Sequence, residues 1–206
     1  MIPEIDEALA RLLRSNAVPD KGVEVTFEAP TRDWAARRNG PAVNAYLYDI
    51  REDVTLRHAG VDTIRDGQGI PTVRRRPLRF FRLCYLLTSW TKRAEDEHRL
   101  LAAVLGCLLS TDVLPMGETG ALAALGTPIR LTVAEPPRET RSLADIWSAL
   151  GGDLKPSLDL VITAPFPRQT DEPVATPVTD THGVIGRRLD EPGVSDRILE
   201  RKVVRR

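Results

Sequence analysis

The sequence has little of what specialised binding or catalytic chemistry requires. Only two of its 206 residues are cysteine. Cys84 and Cys107 both lie in apolar runs and form no CxxC pair, which excludes a disulfide framework and a zinc knuckle and predicts two reduced core thiols. Aromatic residues make up 5% of the chain, too few to serve as stacking platforms for single-stranded nucleic acid. Neither sign of charge predominates: 29 basic and 29 acidic residues cancel, whereas a dedicated nucleic-acid binder carries a basic excess that displaces counterions. The longest uncharged apolar run, Leu100 to Leu109, falls well short of the roughly 20 residues that a membrane-spanning helix needs. Glu4, Asp6 and Glu7 stand where a secretory signal would carry lysine and an apolar stretch, so a cytoplasmic location is expected.

Motifs with chemistry are equally scarce. His58, His98 and His182 fall in three separate segments, none within HExxH or beside a cysteine pair. Glu95-Asp96-Glu97-His98 is the densest ligand-like string. On a helix, however, only residues three or four apart share a face, so these four do not converge on one metal, and the string reads as the solvated first turns of a helix. The glycines of Asp66-Gly67-Gln68-Gly69 and of Gly117 to Gly120 lack the lysine and hydroxyl of a phosphate-binding loop, and no serine sits in GxSxG. No catalytic residue, cofactor or metal is expected.

What is present is the pattern of an α+β domain of about 166 residues. Ile2, Ile5, Ala8, Leu9, Leu12 and Leu13 recur at helical spacing in an opening amphipathic helix. Val23 to Phe27 reads as a short strand, the charged stretch Ala29 to Gly40 with Pro30 as a loop, and Ala42 to Ile50 as a second strand. Arg51 to Pro77 is polar and turn-rich, with β-like pieces at Val54 to Leu56 and Thr72 to Arg74, and predicts a protruding hairpin or a mobile loop. Leu78 to Trp90 is apolar on both parities, the mark of a central strand covered on both faces. From Ala94 a core helix follows, with Ala102, Ala103 and Gly106 as a small-residue stripe open to close approach. A short helix at Thr119 to Leu125, a strand at Ile129 to Ala134, a helix capped by Ser142 and a last strand at Leu158 to Thr163 complete a mixed sheet flanked by helices. The expected core is Leu83, Tyr85, Leu87, Leu101, Val104, Leu105, Leu108 and Trp147, with the two cysteines among them.

Beyond the core, Pro165, Pro167, Pro173 and Pro177 mark a stiff spacer, assigned to residues 167–182, and residues 183–206 form an extended C-terminal arm. Within the arm, Ile198 to Val204 alternates like a strand without a partner, although Asp196, Arg197, Glu200 and Arg201 also suit a helical face. The one basic cluster before the arm is Arg74, Arg75, Arg76, Arg79 and Arg82. It has two readings: phosphate binding, as a nucleic-acid or polyanion adaptor using the basic C-terminus as well, or arginines meeting carboxylates on a neighbouring protein surface. Alternation divides the cluster between two sides, and neutral overall charge favours the carboxylates. The residues expected at an interface are therefore Arg74, Arg75, Arg76, Arg79, Arg187, Arg188, Ile198, Arg201, Val203 and Val204.

Four longer strings bear a family likeness: Pro41 to Glu52 (PAVNAYLYDIRE), Arg76 to Arg79 running into Tyr85 to Thr91 (YLLTSWT), Glu95 to Leu101 (EDEHRLL) and Trp147 to Leu160 (WSALGGDLKPSLDL). Together they resemble the tail terminator, or cap, proteins of extracellular contractile injection systems, phage-tail-like particles whose sheath contracts to drive an inner tube. The resemblance spans about residues 1 to 166. It implies a terminator fold, a six-fold ring at the end of tube and sheath distal to the baseplate, sheath and inner-tube proteins as partners, and neither catalysis nor a cofactor. No nucleic acid or membrane partner is implied.

Overall fold

The computed structural model describes residues 1–18, 22–135, 143–167 and 171–174. Its elements in chain order are α1 (Ile2–Asn16), β1 (Glu24–Thr26), α2 (Arg32–Ala36), β2 (Ala42–Glu52), β3 (Asp62–Arg65), β4 (Pro71–Arg75), β5 (Arg79–Trp90), α3 (Ala94–Leu109), β6 (Arg130–Val133), α4 (Leu143–Ala149), β7 (Ser157–Phe166) and β8 (Asp171–Pro173). Short 3₁₀ turns occupy Val54–Leu56 and Ala123–Leu125. The described residues divide into two compact units: residues 1–60 with 76–167, and residues 61–75 with 171–174.

The larger unit is a five-stranded sheet in the order β1-β2-β5-β7-β6. β1 runs parallel to β2, and the other pairs are antiparallel. β5 is central, as its two-sided apolar pattern requires, and Leu83 and Tyr85 to Ser89 are buried on alternating faces. One face carries Val43, Ala45, Leu83, Tyr85, Leu87, Leu160 and Ile162, packed against the apolar stripes of α1 and α3. The opposite face presents Asn44, Leu86, Thr88 and Trp90. There Trp34 of α2 and Trp147 of α4 close over the sheet.

The stripe of α1 follows its spacing: Ile5, Ala8, Leu9, Leu12 and Leu13 are buried. Asp6, on the flank of this stripe, accepts a 2.7 Å bond from the hydroxyl of Tyr85. Burial raises the Asp6 carboxyl above its ordinary range, and the Tyr85 bond opposes that rise. Glu4 ties the same helix to the far side of the chain, accepting from the Leu122 backbone N–H at 3.0 Å, and this bond holds its carboxyl below the usual value. Gly120 makes that approach possible. A Cβ there would stand 2.5 Å from the Glu4 carboxylate, on a backbone at φ +136° that side chains rarely adopt.

The smaller unit is a three-stranded sheet, β3-β4-β8. Its hairpin turns through Asp66 to Gly69, where the Asp66 carboxylate accepts from the N–H groups of Gln68 and Ile70 at 2.9 Å each and Gly69 takes a positive φ. Within Arg51 to Pro77 the hairpin is β3 and β4, while Arg51 and Glu52 end β2. No residue of the smaller sheet's three strands is buried.

Several sequence expectations need correction. Ala29 to Gly40 is not all loop: Thr31 caps α2 by accepting from the Trp34 N–H at 3.2 Å, and the one-turn helix exists because Trp34 has a buried slot to fill. Val54 to Leu56 is a 3₁₀ turn capped by Asp53 and not a β piece. Thr119 to Leu125 contains only the 3₁₀ turn. The last core strand runs past Thr163 through Pro165 to Phe166. Because β6 pairs only with Leu160 to Thr163, the outer side of Pro165 has no ladder bond to lose, and proline is tolerated there. Within the segment read as a spacer, Asp171–Pro173 pairs with β4. Ser142, read as a helix cap, lies outside the described residues, as does the whole 183–206 arm.

The core assignments also need adjusting. Leu83, Tyr85, Leu87, Val104, Leu108 and Trp147 are buried, but Leu101 and Leu105 are half-buried. Cys107 is buried and Cys84 half-buried. Burial raises both thiols, and the carboxylates of Asp159 and Asp49 raise Cys84 further. Since the thiolate is the reactive form, both cysteines are expected to react with iodoacetamide at pH 7 far more slowly than free cysteine does. Labelling of either at the free-cysteine rate in the native chain would show that its site is open.

Candidate assembly surfaces

The arginine cluster is shared between the two sheets. Arg74 and Arg75 lie on β4. Arg75 stands opposite Asp171 in the ladder and donates through Nε and Nη2 to its two carboxylate oxygens at 2.9 and 2.7 Å. This bond holds the Asp171 carboxyl below its ordinary value and raises the Arg75 guanidinium. Arg79 begins β5 and donates to Glu52 at 3.2 Å, while the Nε of Arg57 reaches the other oxygen of the same carboxylate at 3.0 Å. Arg76, between the strands, is exposed. The structure thus gives Arg75 and Arg79 carboxylate partners from distant sequence. Arg187, Arg188, Ile198, Arg201, Val203 and Val204 lie outside the described residues.

A second surface is the outer side of α3. Val104, Cys107 and Leu108 face the core, with Leu100 packed against it. The opposite side, Ala102, Ala103, Gly106 and Leu109, is exposed, and Leu109 retains 66% of its accessible area. A Cβ added at Gly106 would meet nothing within 4 Å. A helix apolar all round belongs in a core, yet the described residues cover only one side of α3. The small-residue stripe noted in the sequence lies on the uncovered side.

The third feature, missed by sequence reasoning, is the meeting of all three tryptophans. Trp34 and Trp90 stand edge to face with ring centres 5.2 Å apart, and Trp147 lies 6.5 Å from Trp90. Lys155 places its ammonium 4.2 Å from the centre of the Trp90 ring and pairs with Glu97 at the start of α3. Gly152 lies flat against Trp147, where a Cβ would be 3.3 Å from the ring. Tyr48 on β2 donates to Asp159 on β7 at 2.7 Å, and its hydroxyl is pushed well above its ordinary pKa by burial and by that carboxylate. The four strings that carry the family resemblance therefore touch in space: Trp90, Glu97, Trp147 and Lys155 join the last three, and the Tyr48–Asp159 bond joins the first to the last. Among the described residues no group of three histidine, cysteine or acidic side chains is placed to hold a metal ion, and no helix is long and apolar enough to cross a membrane.

This sheet, with helices on both faces and a separate hairpin sheet, is a tube-terminator fold. It is similar to the sheath/tube terminator of the PVC extracellular contractile injection system in its extended state, with a TM-score of 0.67 at 22% identity over 93% of this chain and 65% of that one. It is also similar to the tube-terminating cap of the anti-feeding prophage, with a TM-score of 0.61 at 22% identity over 88% of this chain and 60% of that one. The chain belongs to the Pvc16 N-terminal domain family, whose match covers residues 4–181. It thus spans slightly less than two thirds of the length of the terminators it resembles. No curated protein matches it in sequence.

Proposed function

We propose that this protein is a structural, non-enzymatic cap that sits on the last tube and sheath layers of a contractile injection particle as a six-membered ring and stops further sheath polymerisation. The observation that carries this reading is the likeness to a solved sheath/tube terminator over 93% of the chain. The surfaces suit it. A ring closes through heterologous contacts, in which one patch meets a different patch on the neighbour. The outer side of α3 supplies an apolar patch that no described residue covers, and the charged hairpin sheet with Arg74 and Arg75 supplies a polar one. The C-terminal arm, residues 183–206, completes the proposal by adding Ile198 to Val204 as an edge strand to a neighbouring cap or sheath subunit, since an added strand gains main-chain hydrogen bonds. The carboxylate partners of Arg75 and Arg79 favour protein contacts over polyanion binding.

Imaging particles from a strain lacking the protein tests the reading. Sheaths of irregular length with open or frayed distal ends are expected. Particles of normal length with intact ends would refute it.

A further inference from the structure

Beside the tryptophans runs a groove of about 650 Å³ whose described lining includes Val23, Pro41, Trp90 and Leu100, with Arg38, Lys92 and Arg99 among its polar members. These four apolar residues come from the approach to β1, the start of β2, the end of β5 and the second turn of α3, and Ala35 of α2 joins them. The charge is one-sided. Against three cations the lining holds a single carboxylate, Asp96, which accepts from Arg99 at 3.1 Å. Lys92 is exposed and has no ion-pair partner among the described residues. Arg38 lies over the Trp34 ring at 4.6 Å and gives one amine to Glu24 at 2.8 Å, but its Nε–H is buried without an acceptor. At Gly40, also in the lining, a Cβ would meet nothing within 4 Å.

We propose that this groove binds an extended segment of a partner protein in which carboxylates alternate with apolar side chains, the apolar groups on Val23, Pro41, Trp90 and Leu100 and the acids on Arg38 and Lys92. Naming the partner as a protein rests on the cap reading. The groove's own chemistry adds that the segment is acidic. That disfavours the C-terminal sequence of a second copy, where the basic residues Arg187, Arg188, Arg197, Arg201, Lys202, Arg205 and Arg206 outnumber Asp190, Glu191, Asp196 and Glu200. Trp90 is the one aromatic ring among the lining residues, and successive bases need more than one such platform, so a protein segment fits better than a nucleic acid.

Intrinsic fluorescence reads this place, because the chain has three tryptophans and all of them stand in the adjoining cluster. The full-length chain is titrated with a short peptide alternating glutamate and leucine, with the lysine–leucine peptide of the same length, and with oligothymidylate. The expected result is a saturable spectral change with the acidic peptide only, weakened about tenfold or more by Lys92→Glu and by Gly40→Phe, about 1.4 kcal/mol for each decade of affinity. Thermal midpoints of both variants within a degree or two of the parent confirm that they fold. Absence of saturable binding overturns the proposal, as does equal binding of the lysine peptide, preferential binding of oligothymidylate, or indifference to both substitutions. Because the titration needs no particle, failure here alongside open-ended particles in the deletion strain removes the groove and leaves the cap reading. Acidic-peptide binding alongside normal particles does the reverse.

Discussion

Replacing Trp147 by alanine is expected to destabilise the chain by about 3–5 kcal/mol, the range for removing a large aromatic from a packed interior. Trp147 is 2% exposed, and its ring is fixed between Trp90 and the backbone at Gly152. Since a domain of this size has roughly 5–15 kcal/mol of stability in total, the loss is a large share of it. At about 2–4 °C per kcal/mol the melting midpoint should fall by roughly 10 °C. Leu101→Ala serves as the comparison. Its side chain is half-buried, and its cost should stay below about 2 kcal/mol, under the range for a fully buried leucine. Calorimetry or denaturant titration checks both. A Trp147→Ala midpoint close to that of the parent would mean that α4 contributes little to the second face of the sheet.

The second large effect is on assembly. Gly106→Arg and Leu109→Glu each place a charge on the uncovered side of α3, where the isolated chain has room for it. Gly106→Arg should raise the stability of the purified protein by up to about 1 kcal/mol, because glycine is a poor residue inside a helix, and Leu109→Glu should lower it by no more than about 1 kcal/mol, the effect of an acid in the last turn of a helix. In the particle the same charges would enter an apolar contact, where an unpaired charge costs several kcal/mol. Strains carrying either variant are therefore expected to make soluble cap protein and open-ended particles. Normally capped particles with both variants would show that this side of α3 is not the contact surface proposed above.

The regular elements were legible wherever periodicity and burial agreed. α1 has one clean stripe, and β5 is apolar on both parities because both faces of its later half are covered. The phase of α3 was harder to read. Leu100 to Leu109 is apolar all round, so the spacing alone does not say whether Leu101 and Leu105 or Leu100 and Cys107 turn inward, and only the sheet and α1 decide. α2 was hidden because one helical turn among charges and prolines has no period, and its reason for existing is a slot lined by residues far away in sequence. The partners of the arginines have the same cause: Asp171 meets Arg75 across 96 positions of chain. The aromatic cluster joins helix α2, the end of β5 and helix α4, which no local pattern connects. The resemblance strings marked the right stretches without revealing that they touch.

The ties between the opening helix and the remainder of the chain also govern how such a subunit is made. Glu4 needs Leu122, Asp6 needs Tyr85, and β5 lacks its second neighbour until β7 has been synthesised. At about 5–20 residues per second, ribosomes take roughly 10–30 s to extend the chain from Asn16 to Phe166. Until β5 is complete the apolar stripe of α1 has no sheet to rest on, and until β7 follows that sheet lacks two of its five strands. Contacts of such long sequence separation make for slow, late folding in one cooperative step. A nascent or truncated chain that stops short of β7 presents an open β5 edge, a template for aggregation.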